Sequence, residues 1–367
     1  MSAKLFENLL ERINRSGNGA VHVWFGAIIF SILFTILIWI TGPDLQHFVV
    51  TFLPFQGGFW YFWKLPTRNF WGMAIVWAFY LLNQLLIWGT IYWAQKNLNK
   101  QKASPTRDLT KYNLAVISIM VSFIFLHLIQ THIWFDGLAQ DTPILSSMGS
   151  VIVLLAIVLI LENPIRGIFL GRKAGKPYTA MVTGFFRRTH MYIFSWALVY
   201  TFWFHPMATD PQLLSGFFYM FLLFTQMSLA YTSIHLDQRW IVTLESWVAI
   251  HALVVAYFNT SYFGSVNIWP MFFTGFAFMF VFTYMYALNI KKITRVLITI
   301  LYIAFVIWLY IPKPYGFGRD PSFLYRLEFL WIPIILFGLS LLFASVVYLW
   351  MRRNRIKNQG NDKISAV

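Results

Sequence analysis

Long apolar stretches alternate with short polar ones along the chain, at about residues 23–41, 69–93, 112–134, 147–165, 188–205, 212–233, 240–258, 268–288, 296–311 and 329–351. At 1.5 Å per helical residue these lengths suit a hydrocarbon layer roughly 30 Å thick. The pattern predicts an all-α, polytopic helical membrane protein with about ten transmembrane helices. Ahead of the first stretch, Leu5, Phe6, Leu9, Leu10 and Ile13 recur at helical spacing, while Lys4, Glu7, Glu11, Arg12 and Arg15 take the opposite face. Residues 1–22 are therefore expected to form a short amphipathic helix on the inner membrane surface. Residues 23–351 then make a single membrane domain, and 352–367 a basic tail. The first stretch runs into Thr41-Gly42-Pro43-Asp44 rather than a small-residue cleavage site, so it is expected to stay in place as a signal anchor.

Charge sets the orientation. Every second loop, together with the two tails, holds 23 of the 28 Lys and Arg residues: Lys4, Arg12, Arg15; Lys96, Lys100, Lys102, Arg107, Lys111; Arg166, Arg172, Lys173, Lys176, Arg187, Arg188; Arg239; Lys291, Lys292, Arg295; and Arg352, Arg353, Arg355, Lys357, Lys363. Only Lys64, Arg68, Lys313, Arg319 and Arg326 fall in the other loops. Cytoplasmic loops of membrane proteins collect Lys and Arg, so both termini are expected in the cytoplasm, in a plasma membrane or bacterial inner membrane. The net charge of +15 is accounted for by these anchoring residues, and nucleic acid is set aside as a partner. Membrane lipids, another membrane protein or a second copy of the chain remain as partners.

Composition narrows the chemistry. A chain of 367 residues that is 59% hydrophobic and 11% charged holds more apolar surface than one water-soluble core could hide. Without cysteine there are no disulfides, thiolate metal sites, Cys-ligated iron–sulfur clusters or covalently attached c-type haem. Two segments, Pro43 to Thr67 and Pro312 to Glu328, are longer than connection requires. The first gathers Phe52, Phe55, Phe59, Trp60, Tyr61, Phe62 and Trp63 around Gly57-Gly58, which suits an outer aromatic belt, an interfacial hairpin or a lid over a cavity. Proline is confined to loops and stretch ends, so no helix looks broken at mid-membrane, where many transporters bind their cargo.

An ionisable group in hydrocarbon calls for a partner, a cavity or a function. Near the inner surface stand Glu162, His190, His235 and Glu245, with Arg187, Arg188 and Arg239 close in sequence. Thr225, Ser228, Thr232 and His235, at i, i+3, i+7 and i+10, are expected to form a polar stripe down the sixth stretch. Such a group suits acid–base chemistry, a metal or an anionic headgroup. Glu162 and Arg166, at i and i+4, read more simply as a helix-face pair. Toward the outside, His132, Asp136 and His205 are candidate ligands for a divalent metal, with a hydrogen-bonded His–Asp cap as the plainer reading. Deepest are Asn83, Gln84, His127, Gln130, Gln226 and His251, which suit interhelical glue, a polar pocket or a proton path.

The pairs His190/His205 and His235/His251 raise the further option of stacked b-type haems. Sixteen residues of unbroken helix, however, would leave His235 and His251 facing nearly opposite ways. No nucleotide-binding loop, desaturase-type histidine set, H-E-x-x-H or G-x-S-x-G motif occurs.

Four functions follow from these residues. The first is an integral membrane enzyme acting on a lipid-like substrate near the cytoplasmic leaflet, with Glu245, His190, Glu162 and His235 as catalytic groups and Arg187, Arg188 and Arg239 holding an anion. The second is a transporter or channel for protons, ions or a small solute lined by His127, Gln130, Gln226 and His251. The third is a redox subunit binding b-type haem or quinone. The fourth is an accessory subunit of a membrane complex.

Overall fold

A computed structural model describes residues 3–57, 60–98, 105–263 and 267–364, and among them there are thirteen α-helices and no strand. The helices are α1 (Ala3–Asn14), α2 (Gly19–Thr41), α3 (Gln46–Val49), α4 (Phe70–Asn97), α5 (Lys111–Trp134), α6 (Ile144–Arg166), α7 (Ala180–Phe204), α8 (Pro211–Ser228), α9 (Gln238–Phe263), α10 (Trp269–Phe282), α11 (Lys292–Tyr310), α12 (Pro321–Tyr325) and α13 (Trp331–Ile364). Gly58, Phe59, Lys100 and Lys102 lie outside the described residues, as do the side chains of Leu5, Lys357 and Lys363.

Eight of these segments are long and apolar enough to cross a membrane: Gly19–Val49, α4, α5, α6, Gln238–Thr260, Trp269–Ala287, α11 and Glu328–Arg355. Their outward faces support the same conclusion. On α11 the exposed apolar side chains include Ile293, Val296, Leu297, Ile300, Leu301, Ile303, Ile307 and Trp308, and on α2 they include Phe25, Ile29, Leu33, Ile36 and Ile40. Apolar faces of that extent are stable only against lipid or another protein, so the chain is a helical protein suited to a membrane. The other two long helices, α7 and α8, carry more polar side chains. For α8 the packing gives a reason: it lies against α2, α5 and α9, so protein rather than hydrocarbon surrounds much of it.

Helix ends follow local chemistry. Asn69 caps α4 by accepting from the Gly72 amide at 3.0 Å, Thr110 and Asn113 form a reciprocal box at the start of α5, and Asp210 ahead of Pro211 caps α8. Asn113 also donates to the carbonyls of Ser228 and Ala230 at 2.7 and 2.6 Å, satisfying the C-terminal end of α8 with the first turn of α5.

The chain divides into two compact units. Unit 1 comprises residues 1–151 and 191–267, and unit 2 comprises 152–190 and 268–367. In unit 1 the core is aromatic, with Trp203 fully buried among Phe79, Phe123, Phe202 and the His127 ring. The amphipathic α1 is docked on this unit's own chain: Leu10 and Ile13 pack over Ala20, Leu109 and Leu229, Glu7 pairs with Lys111 at 2.6 Å, and Asn14 brackets the Leu109 backbone. In unit 2, α10 packs on α11 and α13, and Gly275 sits where a Cβ would come within 2.7 Å of Ile332.

One expectation from the sequence changes here. Helix α8 ends at Ser228, so Thr232 and His235 lie in the turns beyond it and the expected polar stripe is not one helical face. Glu162 and Arg166, expected as a pair on one helix face, are both buried, at 8% and 2% exposure.

Candidate functional site

The polar residues of unit 1 concentrate where the connection after α5 folds back onto the end of α7. Gly137 makes this approach possible, because a Cβ there would lie 2.5 Å from the Phe204 carbonyl oxygen. The fold-back brings Asp136 in sequence step with the last turns of α5. Its Oδ1 accepts from the Leu65 amide at 2.9 Å and its Oδ2 from Gln140 Nε2 at 3.1 Å. Burial raises the Asp136 carboxyl to about 6, and the Leu65 and Gln140 donors oppose that rise without cancelling it.

From Asp136 the network runs inward. Gln130 Nε2 donates to the Asp136 carbonyl at 2.7 Å, which fixes the amide so that Oε1 faces His127 Nδ1 at 2.9 Å. The other ring nitrogen, Nε2, faces the His205 carbonyl at 2.8 Å. Both partners of the His127 ring are therefore acceptors. A neutral imidazole carries one N–H and leaves one of these oxygens without a hydrogen; an imidazolium satisfies both. The ring also packs against aromatic side chains, its centroid 4.4 Å from Trp203 and 4.8 Å from Phe202.

His205 joins a second branch. Its Nδ1 is 2.7 Å from the Tyr61 hydroxyl, and the imidazole lies within electrostatic reach of both His127 and His251. Burial first, then the Asp136 and Asp210 carboxylates, hold the Tyr61 hydroxyl well above its usual range. Asp210, the α8 cap, is itself raised by burial. His251 Nδ1 is 2.9 Å from Ser215 Oγ on α8, and one turn further along α8 the Tyr219 ring lies 6.4 Å from the His251 ring. Tyr219 donates to the Leu244 carbonyl at 2.9 Å and lies within reach of the Glu245 charge. Glu245, with 5% exposure, stands about 10 Å along α9 from its start at Gln238. Asp136, Tyr61, His205, His127, His251, Tyr219 and Glu245 are thus strung through one unit.

The other candidates sort differently. Gln226 is held with His235 rather than with His127 and His251: its Nε2 donates to the His235 carbonyl at 3.0 Å, and His235 Nδ1 donates to the Gln226 carbonyl at 2.9 Å. Burial lowers the His235 imidazole below its usual value. Among the inner-surface group, His235, Glu245 and Arg239 belong to unit 1, while Glu162, His190, Arg187 and Arg188 belong to unit 2. His190 Nδ1 turns back on its own helix, 2.8 Å from the Arg187 carbonyl. His132, Asp136 and His205 take separate partners; His132 bonds the Leu128 and Thr41 carbonyls at 2.8 and 3.2 Å. Among the described residues, no group of three or more His, Asp or Glu side chains is arranged to hold a metal ion.

Comparison with protein-family models, curated proteins and solved structures returned no match. The site therefore stands on its own geometry. Reading the sequence missed Tyr61, Asp210, Ser215 and Tyr219. Tyr61 is one aromatic among eight in the segment Pro43 to Thr67, and Asp210 before Pro211 signals a helix cap, which it also is.

Proposed function

We propose that the chain is a ten-span protein of a plasma membrane or bacterial inner membrane, with both termini in the cytoplasm, and that unit 1 carries protons across the bilayer. The alternation of Lys and Arg between loops supports the topology, and the eight apolar helices support the embedding. One observation carries the function: His127 is buried with both ring nitrogens facing oxygen acceptors, within a string of titratable side chains that runs from Asp136 to Glu245. A proton enters at Asp136, passes by Tyr61 to His205, which lies within electrostatic reach of both His127 and His251, and leaves past Tyr219 through Glu245. Water bridges the steps longer than a hydrogen bond.

The test is proton flux into vesicles that hold the full chain, enclose a pH-sensitive dye and are driven by a potassium diffusion potential. Wild-type protein is expected to pass protons well above protein-free vesicles, and Glu245→Gln to lose that flux more than tenfold while keeping its thermal stability. Wild-type vesicles as proton-tight as protein-free ones overturn the proposal.

A second reading rests on the same carboxylate. Glu245 is buried near the inner end of α9, where it would serve as general base for a membrane enzyme acting on a hydrophobic substrate at the cytoplasmic leaflet, with His235 nearby in sequence. In that case Glu245→Gln abolishes turnover and leaves vesicle proton flux untouched.

A further inference from the structure

Unit 2 presents an unbalanced charge. Segments 162–190 and 288–295 hold nine Lys and Arg residues against the single acid Glu162. The matching segments of unit 1, 3–18, 94–98, 105–111 and 229–245, hold seven Lys and Arg against five acids. A rule that places basic residues on one side of the membrane does not call for removing the acids as well.

Three of these basic residues, Arg172, Lys173 and Lys176, lie in the connection between α6 and α7, which is held by the chain around it. Gly167, Leu170 and Gly171 all adopt left-handed backbone, with φ of 75°, 51° and 75°. For Leu170 that conformation is strained, and it persists because its surroundings hold it. The Leu170 amide donates to the Phe282 carbonyl at 2.7 Å, Thr283 Oγ1 donates to the Ile168 carbonyl at 2.9 Å, and Asn163 bonds Ala174 in both directions at 2.8 and 3.2 Å. A Cβ on Gly171 would lie 2.9 Å from the Tyr286 ring, and the Arg295 guanidinium lies 4.8 Å from that ring's centroid. Arg295 donates through Nη2 to the Leu288 carbonyl, and its Nε has no protein partner among the described residues. Next to Gly171, Arg172 and Lys173 are exposed. Beside the cations stand exposed apolar side chains: Phe169 and Leu170 at 39% and 42%, and Ile293 and Leu297 on α11 at 77% and 55%.

A fixed set of cations bordered by exposed alkyl and aromatic surface has the chemistry of a phospholipid seat. The geometry points to a binding site in unit 2 for the headgroup of an anionic phospholipid: Arg172, Lys173 and Arg295 hold the phosphate, and the acyl chains lie against Phe169, Leu170 and the apolar face of α11. The site lies wholly within unit 2 and is independent of the proton path.

The experiment titrates the purified full chain in one neutral detergent with phosphatidylglycerol, phosphatidylcholine or inorganic phosphate, reading the rise in melting temperature. Phosphatidylglycerol is expected to stabilise the wild type and phosphatidylcholine is not. Removing Arg172, Lys173 and Arg295 together as Gln variants is expected to weaken the apparent affinity on the order of a hundredfold at low salt, about fivefold for each charge near a membrane surface. Lys173→Gln alone, at an exposed position that leaves the loop's bonds intact, is expected to cost about fivefold and serves if the triple variant does not fold. Lys96→Gln, Arg107→Gln and Arg239→Gln together, in unit 1, are expected to change little. Equal loss in both triple variants would reduce the effect to net charge and overturn the site. Stabilisation by inorganic phosphate alone overturns the lipid assignment, and so does a wild type indifferent to phosphatidylglycerol.

Discussion

Two buried polar clusters, one in each unit, satisfy their hydrogen bonds in opposite ways. In unit 2, Arg319 and Glu328 are each about 5% exposed and meet through both guanidinium and carboxylate forks, Arg319 Nη2 reaching Glu328 Oε2 at 2.5 Å. Tyr310 donates to Glu328 Oε1 at 2.6 Å, and the Arg319 guanidinium lies 4.1 Å from the Phe323 ring centroid. Donors face acceptors and cation faces anion, so no proton has anywhere better to go. In unit 1, His127 faces two acceptors and cannot satisfy both while neutral. A closed ion pair reads as structure, and a cluster that changes its hydrogen bonding with each proton reads as function.

The largest expected effect comes from breaking the closed cluster. Glu328→Gln leaves a buried guanidinium facing an amide, which costs roughly 3–5 kcal/mol when a buried pair loses one partner. Unfolding in detergent, followed by the shift in denaturant midpoint, measures it. Proton flux per folded molecule is expected to be unchanged, since the pair is not among the residues of the proposed proton path. Loss of flux in the protein that still folds would break the contrast between the two clusters.

How far the sequence carried this contrast depends on the residue. The ten long stretches match ten long helices, because hydrophobic length is a local property. Their ends match less well. Helix α7 starts at Ala180, eight residues before the expected 188, since a helix is free to continue past the apolar layer through Arg187 and Arg188. Helix α8 stops at Ser228 because Asn113, distant in sequence, takes the carbonyls that another helical turn would have used. His127 and Gln130 were legible as deep polar groups, and Asp136 and His205 as outer ones. Their union in one network was not, because depth counted along a helix does not show that Gly137 lets the following connection fold back. The Arg319–Glu328 pair was invisible for a related reason: both residues lie in the segment Pro312 to Glu328, which is longer than connection requires and whose spacing does not show which of its residues meet.

The second effect, in order of size, uses pH to move unit 1 while leaving unit 2 still. Burial raises the Asp136 carboxyl to about 6 in the folded protein, above its ordinary value near 3.8. The folded state therefore holds this proton more tightly than the unfolded one. Its contribution is fully present below pH 4, falls as pH rises from about 4 to about 6, and is level above that. The full span is about 3 kcal/mol at 1.4 kcal/mol per pH unit. Asp136→Asn is expected to flatten this part of the stability curve and to remove a protonated-carboxyl infrared band that titrates near pH 6. A curve that keeps its slope in the variant would assign the titration to another group and detach Asp136 from the proton path.

The smallest effect sharpens the contrast most, because it removes a single atom. Tyr61→Phe deletes the hydroxyl 2.7 Å from His205 Nδ1 and leaves the ring packed against Phe204 and Trp63. The loss of one such bond costs about 1 kcal/mol, with the imidazole nitrogen left buried accounting for much of it. If the hydroxyl is only structural, stability falls by that amount and proton flux per molecule does not change. If Tyr61 passes the proton from Asp136 to His205, flux falls by about tenfold or more, far beyond what a 1 kcal/mol loss of stability would remove from a well-folded population. Stability and flux change together in a structural bond and separate in a working one, so this single variant asks of unit 1 what Glu328→Gln asks of unit 2.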